Sequence, residues 1–268
     1  SMIGIIAVGM TFVIITAGID LSVGSIVALG GCITAVLLRD GNSISVGIGL
    51  GLLFGLVAGL ANGVLVTKGK LPAFVATLAS MSLWRGIALT YTQGYAIFGL
   101  PKGFAALGRG YVGPIPLPVM LMVLVYVIGY YLLNHTAFGR YVYAVGGNLQ
   151  AAKLSGVRVD RTLIAVYGLS GLCSGLSGVI LASRVMSGQG MAGTGYELDA
   201  IASCVLGGIS LIGGEGNLIG TIIGAFIIGI LANGMTLLNI SSFYQMMAKG
   251  LVIMLAVFVD LQLRARRE

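Results

Sequence analysis

The sequence predicts an all-α, polytopic membrane helix bundle with an inverted internal repeat. Three observations carry that prediction. Of 268 residues, 57% are apolar and 9% charged, and the mean hydropathy is +1.05, whereas about a quarter of the residues in a soluble domain are charged. The apolar residues fall into long runs without period-2 alternation, and lipid admits only helices or closed barrels, so the runs read as helices. Two stretches, five runs apart, resemble each other.

The runs cover 2–18, 22–38, 43–67, 71–92, 115–133, 162–183, 197–212, 217–239 and 242–260. A span takes about 20 helical residues, so these nine fill 1–268 as a single transmembrane domain. The first opens at Ser1-Met2-Ile3-Gly4 without the basic region or cleavage site of a signal peptide, and reads as the inside of a helix. The second follows Asp20-Leu21-Ser22, a good helix start. Arg85 in the fourth run and Lys249 in the ninth are costly against lipid. They should face the bundle, pair with a carboxylate or snorkel, and snorkelling is favoured for Lys249. Trp84 reads as an interface or packing residue, and His135 as the edge of the fifth helix. Cys32, Cys173 and Cys204 sit inside apolar runs as small hydrophobes, with no CxxC pair and no Cys/His cluster, so neither a disulfide nor a metal site is expected.

The 15 basic residues are dispersed between the runs, which excludes a nucleic-acid-binding patch. They act as topology signals. Connection 134–161 carries Arg140, Lys153, Arg158 and Arg161, link 68–70 carries Lys68 and Lys70, and the tail carries Arg264, Arg266 and Arg267. The positive-inside rule places all three, and so the C-terminus, in the cytoplasm. The intervening spans are even in number both times, as this requires. Counting backward puts Ser1 on the outer side, so an intact protein starting in the cytoplasm is expected to have one further helix ahead of this segment.

The related stretches are GIDLSVGSIVALGG at 18–31 and GYELDAIASCVLGG at 195–208. Gly18, Leu21, Leu29, Gly30 and Gly31 match Gly195, Leu198, Leu206, Gly207 and Gly208, and Asp20 falls opposite Glu197. Ala61-Asn62-Gly63 and Ala232-Asn233-Gly234 continue the correspondence, giving halves of about 18–94 and 195–260. Copies an odd number of spans apart cross the membrane in opposite directions, the arrangement behind alternating access. Gly18/Asp20 and Gly193/Gly195/Glu197 are equivalent places for helix breaks. Carboxylates there suit the positive end of a helix dipole, either as caps at a membrane interface or as groups lining a path. The pathway candidates are Asp20, Ser22, Ser25, Asn62, Glu197, Asp199 and Asn233. These, with Tyr91, Gln93 and Gln245, could offer a passing solute transient hydrogen bonds, or could join helices to one another.

The 134–161 connection is a candidate docking element. Asn148 suits an N-cap, Leu149 to Ser155 supply about two turns or roughly 10 Å, and Gly156 suits the left-handed position that ends a helix. Ala151 and Ser155, with Ala152 one residue round, form a narrow face that another surface can approach closely, with Lys153 beside it.

Five ordered segments, GIDLSVGS at 18–25, LPAFVATLASMSLWRGIALTYTQG at 71–94, GRYVYAVGGNLQAAKLSGV at 139–157, AGTGYELDAIASCVLGGISLIGGEG at 192–216 and SSFYQMMAKGLVIMLAVFVD at 241–260, cover essentially the whole chain. In them the chain resembles the permease subunits of bacterial ATP-binding-cassette importers for ribose, arabinose, xylose and galactose. It departs from that pattern in lacking the family's first helix and in a shorter 95–114 segment. The resemblance implies a homodimer in the bacterial inner membrane that passes a monosaccharide from periplasm to cytoplasm. A periplasmic sugar-binding protein would supply it, and a cytoplasmic ATPase that binds ATP and Mg would power it. The helix within Gly147, Asn148, Ala151, Ala152, Lys153, Ser155 and Gly156 would then be the coupling helix that docks into the ATPase.

The chain has no GxxxxGK[ST] motif, so nucleotide must be held by a partner. It also has no catalytic triad or metal cluster that would make it an enzyme. The alternative is an ion-coupled secondary transporter using Asp20, Glu197 or Asp199. Such a protein needs no capped docking helix, and its coupling carboxylate belongs near the midplane.

Overall fold

In the computed structural model, which describes residues 1–265, each of the nine apolar runs contains a helix. In chain order these are α1 (Met2–Ile15), α2 (Val23–Arg39), α3 (Ile44–Thr67) and α4 (Ala73–Thr92), then the short α5 (Ala105–Arg109) and α6 (Leu117–His135). The 134–161 connection holds α7 (Ala137–Gly147) and α8 (Leu149–Leu154), and the chain continues as α9 (Val159–Val185), α10 (Tyr196–Leu206), α11 (Leu218–Leu237) and α12 (Ser242–Ala265). A two-residue antiparallel ladder, β1 (Tyr111–Val112) against β2 (Ile115–Pro116), closes the 95–116 loop. Among the described residues α3, α4, α6, α9 and α11 are long and apolar enough to cross a membrane, while α1 and α2 are apolar but shorter.

The 27-residue α9 is the axis of the bundle. Against it α3 lays Gly51, Gly55, Gly59 and Gly63, one per turn, facing Gly175, Gly171, Tyr167 and Ile164. A methyl group on Gly63 would come within 2.6 Å of Ile164 Cα, and one on Gly55 within 2.8 Å of Gly175 Cα. The two backbones therefore touch directly, which is how helices gain packing energy in lipid, where no hydrophobic force separates helix from solvent.

Directions follow from the contacts along α9. Ser177 Oγ donates to Met2 O at 3.2 Å, and a methyl on Gly9 would lie 2.6 Å from Ser170 Cα, so α1 runs against α9. Asp20 meets Ser170 and Gly31 meets Gly178, so α2 runs with α9. Its start, with Asp20, lies beside the middle of α9. Cys204 bonds to Ala7 O at 3.5 Å, and Gly214 N donates to Ile15 O at 2.8 Å. Hence α10 runs with α1 and opposite to α2.

The 197–212 run is not one span. Its helix has 11 residues, about 16 Å at 1.5 Å per residue and roughly half a hydrocarbon core. Apolar composition continues to Ile212, but Gly208, Gly213, Gly214 and Gly216 hold left-handed or otherwise positive φ, which takes the chain out of helix. Lys68 Nζ pairs with Asp160 Oδ2 at 2.7 Å, so the 68–70 link and the 134–161 connection share one face. The opposite face is closed by the Ile97–Gly188 bridge and by Ser183 Oγ, which accepts from Gly108 N at 2.8 Å. Arg266 and Arg267 of the basic tail lie outside the described residues.

Candidate functional site

The first helix break is a dry, crosslinked turn. After Ile15 the chain passes Ala17 at φ 60, and Gly18 N donates back to Val13 O at 3.0 Å. Asp20 is fully buried. Its Oδ1 accepts from Ser22 N at 3.0 Å and Ser22 Oγ at 2.6 Å, and Oδ2 accepts from Ser170 Oγ of α9 at 2.8 Å. Ser22 Oγ in turn accepts from Asn62 Nδ2 of α3 at 2.8 Å, and Ser25 Oγ donates to Ser22 O at 2.7 Å. Thr77 of α4 and Tyr167 of α9 both donate to Ile19 O, at 3.2 and 3.4 Å. The carboxylate thus stands where the first N–H groups of α2 have no helical partner and the helix dipole is positive.

Four pathway candidates, Asp20, Ser22, Ser25 and Asn62, are therefore brought together, and they act as joints between α2, α3 and α9. Ser170, Thr77 and Tyr167 complete the cluster and were not anticipated. Their sequence signal was hydroxyls embedded in runs otherwise apolar, which in lipid must find a partner on a neighbouring helix.

The second break differs. Gly195 at φ 85 caps α10, and Glu197 Oε1 accepts from Gly195 N at 3.3 Å. Glu197 is half-buried beside Gly24, at the start of α2. Arg85 of α4 faces the bundle and holds backbone carbonyls. Its Nη1 donates to Gly190 O at 2.8 Å and Ala192 O at 2.7 Å, clamping the loop that leads into α10. Lys249 does not snorkel: it reaches Asp199 of α10 at 2.9 Å, tying α12 to the broken helix. Asn233 is exposed on α11, unlike its buried counterpart Asn62, because α11 has no helix packed over that face. Beside the second break, between α2, the later half of α9 and the segment leading into α10, lies a cavity of about 220 Å³ with Val27, Gly31, Gly178, Ser187, Gln189 and Tyr196 in its wall. Trp84 packs edge-on against Phe54 with ring centroids 5.5 Å apart, and His135 stacks on Tyr131 at the end of α6.

On the 134–161 connection, Asn148 Oδ1 accepts from Ala151 N at 2.9 Å, capping α8, and Gly156 takes φ 80 just past its end. Ala151, Lys153 and Ser155 are exposed. Ala152 is not part of the presented face: it is buried and anchors α8 to the bundle. The projecting side chain is Leu154, 90% exposed, so the face is a small-residue shelf with one apolar knob. Preceding it, α7 is a full helix, capped by Thr136 Oγ1 accepting from Gly139 N at 3.3 Å, where the sequence reading had placed a loop.

A family profile described as "Branched-chain amino acid transport system / permease component" matches residues 1–257. The chain belongs to that permease family. It is 52% identical over 259 residues to the ribose import permease protein RbsC of Bacillus subtilis (strain 168), covering 96% of this chain and 80% of the relative. It is 48% identical over 264 residues to RbsC of Escherichia coli (strain K12), covering 97% and 82%. To the L-arabinose transport system permease protein AraH of the same strain it is 44% identical over 260 residues, covering 97% and 79%. No solved structure matches it. The chain is thus the permease subunit of an ATP-binding-cassette importer, a multi-pass inner-membrane protein. Its family implies an ATPase, in a separate subunit, and a periplasmic binding protein as partners.

Proposed function

We propose that this permease passes a ribose-type monosaccharide from periplasm to cytoplasm by alternating access, as one of two identical subunits in the bilayer. The observation that carries the sugar is the identity of 48 to 52% to ribose import permeases over nearly the whole chain, above the 44% shared with an L-arabinose permease. ATP and Mg are held by the ATPase, and α8 is the coupling helix that docks into it through Ala151, Lys153, Leu154 and Ser155. The 68–70 link, the 134–161 connection and the C-terminus face the cytoplasm.

The repeat reading is supported by α2 and α10, which both start at breaks inside the bundle and run in opposite directions. ATP-driven closure of the ATPase dimer displaces α8, and the two halves rock about these breaks. A neutral sugar needs no fixed counter-charge, and two of the three candidate carboxylates are already engaged: Asp20 by hydroxyl and amide donors and Asp199 by Lys249. Glu197 remains beside the cavity as a hydrogen-bonding group.

The test is uptake of labelled pentoses and hexoses into vesicles holding the full-length permease, its ATPase and its binding protein. Ribose uptake requiring both enclosed ATP and the binding protein is the expected result. Uptake driven by a proton or sodium gradient alone would overturn the reading.

A further inference from the structure

The helix that precedes the docking element touches the end of α1, at the first helix break, and the turn that follows α10 through one joint. Tyr143 and Gly146 lie three residues apart, on one face of α7. Tyr143 Oη donates to Gly216 O at 2.6 Å. A methyl group on Gly146 would sit 2.6 Å from Gly214 N and 2.8 Å from Ile15 C, so the α7 backbone rests directly on two other backbones. Those two are bonded to each other by Gly214 N donating to Ile15 O at 2.8 Å. Ile15 is the last residue of α1, just ahead of the turn that leads to Asp20. Gly213, Gly214 and Gly216 form the turn that follows α10. Three segments distant in sequence therefore meet at one point, where the end of α1 enters the first break and the chain leaves α10.

The mechanical properties fit this place. The 11 residues of α7 make a rod about 16 Å long, held in the core by Val142 and Val145, both buried. Only Asn148, extended at φ −156 and ψ 102, separates it from α8. The last carbonyls of α1 lack helical partners, and Ile15 O meets that need with an N–H from the post-α10 turn. A shift of α7 thus moves the end of α1 and the end of α10 together, with no slack between them.

We infer that α7 is the rod that delivers the displacement of the docking helix α8 at once to the end of α1, at the first break, and to the end of the broken helix α10, with Tyr143 and Gly146 as the positioning residues of its joint. This rests on the importer reading above. It adds the part of the chain through which work done by the ATPase enters the bundle, and it predicts that the joint moves as a rigid unit.

Tyr143→Phe removes the hydroxyl and keeps the ring. In the assembled importer the ATPase still docks on α8, and hydrolysis without sugar stays at the wild-type rate. Sugar delivered per ATP falls about fivefold, the weight of one hydrogen bond lost from the joint. An unchanged ratio of sugar to ATP would overturn the inference. Should the variant assemble poorly, a distance measurement in an otherwise wild-type complex decides the question. Spin labels at exposed Ala144 and Ile212 report across the joint, and labels at Ala144 and Asn42 report across the membrane. ATP binding is expected to change the second distance and leave the first as it was. A first distance that changes as much as the second, or a second that does not change, would overturn the inference. If wild-type vesicles show no ATP-driven uptake at all, the importer reading itself fails. That outcome is separable, because it needs no variant and no label.

Discussion

Replacing Asp20 separates its two possible roles, anchoring α2 and touching the solute. Asp20→Ala deletes the acceptor of three hydrogen bonds, from Ser22 N, Ser22 Oγ and Ser170 Oγ, in a site with no exposure to solvent. The bond from Ser170 crosses between helices and is worth about 0.6 to 1.7 kcal/mol, and the two local bonds from Ser22 about 0.5 to 1.5 kcal/mol each, so the loss sums to about 2 to 5 kcal/mol. Asp20→Asn keeps the volume, and its carbonyl oxygen still accepts from Ser22. Its amide can donate to Ser170, whose hydroxyl accepts as readily as it donates, so the cost stays near 1 kcal/mol. Denaturant unfolding of the purified permease gives the two stabilities, and uptake in vesicles gives the activities. The anchoring role predicts a severely destabilised alanine variant and an asparagine variant that folds and transports. An alanine variant within about 0.5 kcal/mol of wild type, the range of an inconsequential surface change, would refute the hydrogen-bond argument. A stable asparagine variant without transport would show that the carboxylate meets the solute.

Three further outcomes follow from the packing. Gly59→Val should destabilise the permease by about 1 to 3 kcal/mol by forcing α3 away from α9, whereas Gly49→Val, which meets open space, should leave the unfolding midpoint in place. Asp199→Asn and Lys249→Gln should each cost about 2 to 3 kcal/mol, with the double variant costing less than their sum, since each leaves a charge without its partner; a strictly additive double variant would count against the pairing. Ala151→Trp and Leu154→Asp should abolish sugar-stimulated ATPase activity in a permease of normal stability, while Ala152→Trp should lower stability itself; equal unfolding midpoints for the Ala151 and Ala152 variants would contradict their different burial.

Much of this protein was legible in its sequence because lipid imposes one requirement everywhere: every backbone polar group must be satisfied within its own segment. That requirement makes each apolar run a helix, and it located all nine. Local chemistry located the short helix α8 equally well, since Asn148 and Gly156 mark its ends whatever surrounds them. What surrounds them decided the rest. Ala151 and Ala152 are the same residue type one position apart, and only the packing of α8 on the bundle exposes one and buries the other. The apolar run at 197–212 has span-like composition, yet its glycines turn the chain out of helix halfway. Asp20 and Glu197 occupy matched positions in related motifs, but Ser170 and Asn62 converge on the first break while Arg85 clamps the loop before the second. Composition and caps are properties of consecutive residues, so the sequence alone determined the class of fold, the apolar helices and the ends of α8. Partners for Asp20, Lys249 and Arg85, and the joint of Tyr143 with Gly216, lie between 50 and more than 100 residues away or on other helices. Those pairings depend on which helices lie side by side and which backbones can touch, and only the tertiary structure decides that.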